Sequence, residues 1–324
     1  MTGPLLSLHD ATVRYAVPGG WRARSIAALA PTTLDVYQGE LLAIVGESGS
    51  GKSTLGRAML RLLPVAGGKV TFDGTDITGL GRAALSALRP RMQMIFQDPY
   101  SSLNPNKTVG RALTEVLAHV GVPRAERRER AETLLAQVGL DAQACTRLPR
   151  AFSGGQRQRI AIARALATDP DLIVADEPVS ALDVSVQAQV VNLLLDLKAQ
   201  RGLTMVFISH DLGLVTAIAQ RVCVMYFGRI VEIGLADKIA ARPAHPYTAM
   251  LNDSVPQPDV VAARATVAAA SRAGVADLPS LLNPPTGCAF RSRCPQATSL
   301  CAQQEPGLVP HAGGGLVACH HPLA

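Results

Sequence analysis

Gly46-Glu47-Ser48-Gly49-Ser50-Gly51-Lys52-Ser53-Thr54 follows the apolar run Leu41-Leu42-Ala43-Ile44-Val45 and precedes a helical pattern from Leu55 to Leu63. Strand, glycine-rich loop and helix with Gly-x-x-x-x-Gly-Lys-Ser is the P-loop arrangement. Gly46, Gly49 and Gly51 let successive backbone N–H groups turn inward around phosphate oxygens. The N-terminus of the following helix adds partial positive charge. Lys52 is placed to reach β- and γ-phosphates, and the Ser53 hydroxyl to ligate Mg²⁺. With Ser48, Ser50 and Thr54 the stretch predicts a nucleotide site.

A second set of residues extends the site. Asp171 to Ala175 reads as an apolar strand closing on Asp176-Glu177-Pro178. An aspartate there suits the Mg²⁺ shell, and Glu177 beside it suits a base that takes a proton from attacking water. Ser153-Gly154-Gly155-Gln156 opens an apolar helix and offers a hydroxyl, backbone N–H groups and a helix N-terminus. Helix capping explains the serine, but not two glycines and a glutamine. One nucleotide needs one P-loop, so a second phosphate reader points to a nucleotide held by a partner.

Strands are also expected over residues 5–15, at Thr33 to Val36, from Gly67 into a turn at Asp73-Gly74, and from Arg91 to Phe96, ending at Gln97. Gly19 to Arg24 reads as an exposed loop, and Pro123 to Arg130 as a solvated helical face. A helix is expected from about Val186 to Arg201, a strand from Thr204 to Ile208, and a hairpin over Val222 to Tyr226 and Arg229 to Ile233. The organisation expected is an α/β ATPase domain over 1–252 with a mostly helical insertion at about 101–165. A linker over 253–283 and a cysteine-rich tail over 284–324 follow. The tail, rich in Pro and Gly, shows little regular pattern.

The 324 residues, 48% of them hydrophobic, suffice for one large α/β domain with an appendage. The chain has no run of about 18 apolar residues, so no membrane span is expected. Met1-Thr2-Gly3-Pro4 lacks the pattern of a signal peptide, which predicts a cytoplasmic location. A net charge of +6 without a basic, aromatic-interleaved block argues against nucleic acid. Four of six cysteines, Cys288, Cys294, Cys301 and Cys319, crowd the tail and point to metal before disulfides. Their spacing matches neither paired zinc knuckles nor ferredoxins. Zinc, with His311, His320 or His321 as substitute ligands, is one metal such a tail could take. Cys145 and Cys223 read as apolar fillers.

In this order the P-loop (46–53), Gln97, Ser153 to Gln156, Asp176-Glu177, Ser180-Ala181-Leu182-Asp183 and His210 resemble an ABC-type ATPase over roughly residues 5–250. The resemblance implies a RecA-like core with an antiparallel β subdomain and a helical subdomain. It also implies two cassettes closing head to tail on two ATP molecules. Gln97 resembles the sensor of Mg²⁺ and attacking water, which also contacts the membrane partner. Glu177 matches the general base, His210 the γ-phosphate switch, Asp176 the Mg²⁺ carboxylate and Asp183 the aspartate crossing the dimer interface. Tyr15 matches the adenine-stacking aromatic, with Trp21 as alternative.

Gln97-Asp98-Pro99-Tyr100-Ser101-Ser102-Leu103-Asn104-Pro105, Asp176 to Ser185, His245-Pro246-Tyr247-Thr248 and Pro279 to Pro285 resemble oligopeptide/dipeptide importer ATPases. Val179-Ser180 resembles the second of the two ATPase subunits in such importers. The implied partners are another ABC ATPase subunit (a heterodimer favoured over a homodimer), two transmembrane permease subunits and, indirectly, an extracytoplasmic solute-binding protein. The implied place is the cytoplasmic face of the membrane. In that family the tail carries a [4Fe–4S] cluster on four cysteines, and by its sequence distance from Lys52 it stands apart from hydrolysis. Import of nickel or another small solute, or a soluble ABC ATPase outside transport, are the alternative functions.

Overall fold

The computed structural model describes residues 3–17, 24–98, 103–255 and 284–323. Trp21, residues 99–102 and all but the first three residues of the expected linker lie outside them. The chain divides into two compact units, one of Met1–Pro4, Val36–Glu40 and Gly79–Ile208, the other of Leu5–Asp35, Leu41–Thr78 and Ser209–Ala324.

The first unit is built on parallel strands. Met92–Ile95 pairs with Leu172–Asp176, which pairs with Thr204–Ser209. The last two strands are buried at every position, so they read as apolar runs without alternation. Helices Arg82–Leu88, Val109–His119, Arg127–Gln137, Gly154–Leu166 and Val184–Arg201 belong to the same unit. Thr108 caps helix Val109–His119 by accepting the Arg111 N–H, and Val109, Leu113 and Leu117 form its buried face at helical spacing. Pro123 to Glu126 and Arg128 to Arg130 are exposed, the solvated face expected.

The second unit carries a four-stranded antiparallel sheet in the order Arg24–Val36, Leu6–Val17, Gly67–Phe72, Thr75–Asp76. Asp73 and Gly74 both take positive φ (48° and 73°), as a two-residue primed turn requires. The Arg24–Val36 strand begins well before Thr33. Ala27-Ala28-Leu29-Ala30-Pro31 has no β-branched residue and one proline, so propensity argues against a strand that pairing nonetheless builds.

Beside it, the buried strand Leu41–Val45 pairs in parallel with Arg221–Tyr226, which turns antiparallel into Arg229–Leu235. The tail then joins this sheet: Leu316–Val317 pairs with Ile233 and Glu232, and Val309–Pro310 pairs outside it. Strands of two residues carry no period, so this order was invisible in sequence.

Glu232, buried on its strand, accepts the backbone N–H groups of Ala244 and His245 at 2.8 and 2.9 Å. A carboxylate there also meets the positive end of helix Pro246–Asp253. His245 caps that helix, its Nδ1 accepting the Tyr247 N–H at 3.0 Å. His245-Pro246-Tyr247 is thus a buried junction. Tyr247, Tyr226 and Phe290 of the tail pack as one aromatic cluster, with ring centroids 4.7–5.4 Å apart.

Burial holds His245 neutral, pushing its pKa down from 6.5 to about 4. Between those pH values the unfolded chain binds a proton there that the folded chain does not, so stability falls as pH falls through the window. The loss is about 3 kcal/mol by the low end. His245→Asn keeps a capping acceptor and removes the titration. Urea midpoints from pH 7 to pH 4 should therefore fall less steeply in the variant than in the unsubstituted chain. Equal slopes would assign the acid sensitivity elsewhere.

Candidate functional site

The loop after Leu41–Val45 has the conformation its glycines predict. Gly46, Gly49 and Gly51 all take positive φ (157°, 79° and 100°), and helix Lys52–Met59 starts directly after them. At Gly46 a Cβ would stand 2.2 Å from the Met225 carbonyl oxygen, so no other residue fits. Lys52 is buried, and its Nζ donates to the carbonyls of Gly46 and Glu47 at 2.7 and 2.9 Å. The ammonium is thereby stored inside the loop, within reach of an anion the loop would wrap. Ser50 is buried, Ser53 and Thr54 are half-buried, and Ser48 and Gly49 are exposed at the loop's tip. In the same unit His210 is exposed just past strand Thr204–Ser209, and Tyr15 lies exposed on Leu6–Val17.

The other unit brings the expected catalytic carboxylate and its neighbour together. Gln97 Nε2 donates to Glu177 Oε2 at 3.1 Å and to Ser180 Oγ at 3.5 Å. Glu177 stands in the left-handed region at φ 45°, its N–H bound to the Ile208 carbonyl and its own carbonyl accepting the Ser180 hydroxyl. A non-glycine residue there costs about 1 kcal/mol or more. Asp176, one residue earlier, is 1% exposed. Such a pair can hold a hydrated cation with one acid and accept a proton with the next.

Ser153 and Gln156 form a reciprocal capping box at the head of helix Gly154–Leu166. Capping therefore accounts for the glutamine as well as the serine. Gly155 has its own reason, since a Cβ there would lie 2.4 Å from Val186 Cγ1, while Gly154 faces Leu182 more loosely. Asp183 is exposed at the start of helix Val184–Arg201, next to Val184, which is 82% exposed.

All six cysteines are free thiols. Cys288, Cys294, Cys301 and Cys319 line one void of about 10 Å³ with His245, His320 and His321, and no carboxylate lines it. That volume admits no more than about one water. Burial pushes the thiols of Cys288 and Cys294 up, and that of Cys319 to about 11. Among the described residues no group of three or more His, Cys, Asp or Glu is arranged to hold a metal ion. His311 does not line this void, whereas His320 and His321 do. Cys223 is a buried filler, its thiol pushed up to about 12 by burial.

Sequence reasoning missed two partners of the loop. Arg293, one residue before Cys294, grips the Glu47 carboxylate, and the Tyr247 hydroxyl accepts the Glu47 N–H at 2.8 Å. Neither carries a motif spacing to the loop, which lies some two hundred residues away.

Residues 29–180 match the family model described as ABC transporter, and residues 231–301 the one described as Oligopeptide/dipeptide transporter, C-terminal region. The chain is 48% identical to a probable peptide ABC transporter ATP-binding protein of Sinorhizobium fredii, over 99% of this chain and 90% of that one. It is 46% identical to the dipeptide transport ATP-binding protein DppF of Escherichia coli, over 98% and 94%. Among solved structures it is similar to CbiO1 from Clostridium perfringens, part of an ABC transporter complex, with a TM-score of 0.65 and 27% identity over 74% of this chain and 92% of that one. A dimeric ATP-binding cassette in a post-hydrolysis state with ADP and Pi gives 0.63 and 31%, over 71% and 98%. The α/β nucleotide-binding fold expected from sequence is the fold of these cassettes. Among the described residues no helix is long and apolar enough to cross a membrane.

The packing of Gly155 makes its substitution a test of the helix seating. Gly155→Ala should destabilise the chain by about 1–3 kcal/mol through overpacking on Val186. Adding Val186→Ala should recover most of that loss in denaturant unfolding, because the clash is with a side chain. A double variant as unstable as the single would put the strain in the backbone.

Proposed function

The chain belongs to the ATP-binding proteins of the ABC transporter family, and from that premise we propose that it is the ATP-hydrolysing subunit powering import of di- or oligopeptides through a membrane permease. The observation that carries the proposal is the loop: three positive-φ glycines at a helix N-terminus with a buried lysine parked on the loop's own carbonyls. The peptide class rests on the C-terminal family region over 231–301 and on relatives named for peptide transport.

The roles are assigned as follows. Lys52 and the loop N–H groups bind the β- and γ-phosphates, and Tyr15 stacks on adenine. Ser53, Gln97 and Asp176 hold Mg²⁺ when ATP brings it, and Mg²⁺ then supplies charge neutralisation on the phosphates. Glu177 accepts the proton of attacking water, Gln97 orients that carboxylate, and His210 reads the γ-phosphate. Ser153 to Gln156 and Asp183 read the nucleotide of a second cassette across a head-to-tail interface. That second cassette is a distinct ATPase subunit in this reading, since Val179-Ser180 suits the second of two. The subunit works peripherally on two permease subunits at the cytoplasmic face. The ATPase domain spans 1–252 with its helical part at about 101–165, and the tail spans 284–324.

Glu177→Gln should keep ATP affinity while lowering turnover at least about a hundredfold, and Lys52→Ala should lose affinity itself. Equilibrium ATP binding beside phosphate release separates the two. Undiminished turnover in the first variant, or undiminished affinity in the second, removes that residue from its role.

The tail is proposed as a thiolate site for a [4Fe–4S] cluster, supported by four thiols and no carboxylate around one void. Protein made without oxygen should contain about four irons and four sulfides per chain, lost in Cys294→Ser. Stoichiometric zinc without sulfide would replace the cluster with the zinc alternative, and metal-free protein would reject both.

A further inference from the structure

Glu47 is an acid in the middle of a loop built to receive phosphate. Left free, its carboxylate would repel the ligand. The structure engages it at every polar atom. Its N–H donates to the Tyr247 hydroxyl at 2.8 Å, and its carbonyl accepts Lys52 Nζ at 2.9 Å and the Ser50 N–H at 3.2 Å. Its two carboxylate oxygens take the two terminal nitrogens of Arg293, at 2.6 and 2.8 Å.

A two-pronged pair fixes orientation as well as distance, which a lysine in the same place would not. Only 17% of the Arg293 side chain and 28% of Glu47 is exposed, so the pair is less screened than one on the surface. The arginine is braced from its own side. Its N–H bonds the Phe290 carbonyl at 3.0 Å, and its guanidinium stands 5.8–5.9 Å from the rings of Phe290 and Tyr226. The turn that presents it runs from Cys288 to Cys294, and the Cys288 N–H is tied to the Cys301 carbonyl at 2.8 Å.

We propose that Arg293 is a positioning residue for the nucleotide loop. By holding the Glu47 carboxylate it neutralises the loop's one acid, sets the carbonyls on which Lys52 rests, and couples the cysteine-rich tail to nucleotide affinity. Coupling is reciprocal, so a nucleotide on the loop must in turn tighten the 288–294 turn. The proposal rests on the reading that ATP occupies this loop. It removes the separation between tail and hydrolysis that their distance in sequence implied.

The test uses the full chain. Arg293→Ala should raise the ATP Kd about tenfold, and Arg293→Lys, which keeps charge and loses the fork, about threefold. KM should rise with Kd, while kcat at saturating ATP changes less. Adding Glu47→Gln to Arg293→Ala should not weaken binding further, because the two act as one unit. Hydrogen exchange over 288–294 should slow on adding a non-hydrolysable ATP analogue in the unsubstituted chain, and not in Arg293→Ala.

Variants that fold and bind ATP within about twofold of the unsubstituted chain would leave Arg293 a merely structural residue and overturn the proposal. If Arg293→Ala fails to fold, Arg293→Lys and the exchange measurement decide, and a turn indifferent to the analogue in the unsubstituted chain overturns it. Lys52→Ala is the separate arm. Loss of ATP there with unaltered affinity in the Arg293 variants defeats the coupling alone, whereas full ATP affinity in Lys52→Ala defeats the reading beneath it.

Discussion

Backbone meets backbone where the nucleotide loop lies against the Arg221–Leu235 hairpin. The Gly46 Cα faces the Met225 carbonyl with no room for a side chain, and the Gly228 N–H donates to the Ser50 carbonyl at 2.8 Å. Contacts of this kind leave no slack for a rotamer to absorb, so whatever shapes the hairpin shapes the loop. Its outer strand supplies Glu232, which holds the start of the His245-Pro246-Tyr247 helix. Its inner strand supplies Tyr226, on which Tyr247 and Phe290 pack. The helix and tail thereby become second supports of the loop, and Tyr247 and Arg293 complete the circuit by returning to Glu47.

In the unit of parallel strands the local economy differs. The left-handed turn at Glu177 is over-determined by its bond to the Ile208 carbonyl and by the Ser180 hydroxyl, so a sparsely populated conformation persists. Strain there orients a carboxylate already touched by Gln97. The Ser153–Gln156 segment shows the opposite case. Capping and the closeness of Val186 account for it within one chain.

The sequence alone carried what is local. Glycines at the right intervals after an apolar run determine a phosphate loop because the backbone conformation is a property of those few residues. Buried strands such as Leu172–Asp176 are legible because both faces are covered, and the Asp73-Gly74 turn because its φ values suit few residues. Tertiary pairing decided the rest. The Ala-rich start of strand Arg24–Val36 has weak propensity and exists through its neighbours. The two-residue strands of the tail are too short to show a period, so only the sheet edge at Glu232 and Ile233 reveals them. The tail's hold on Glu47 was beyond sequence reasoning for the same reason: an ion pair 246 residues apart has no spacing, and only the folded turn before Cys294 brings Arg293 to the loop.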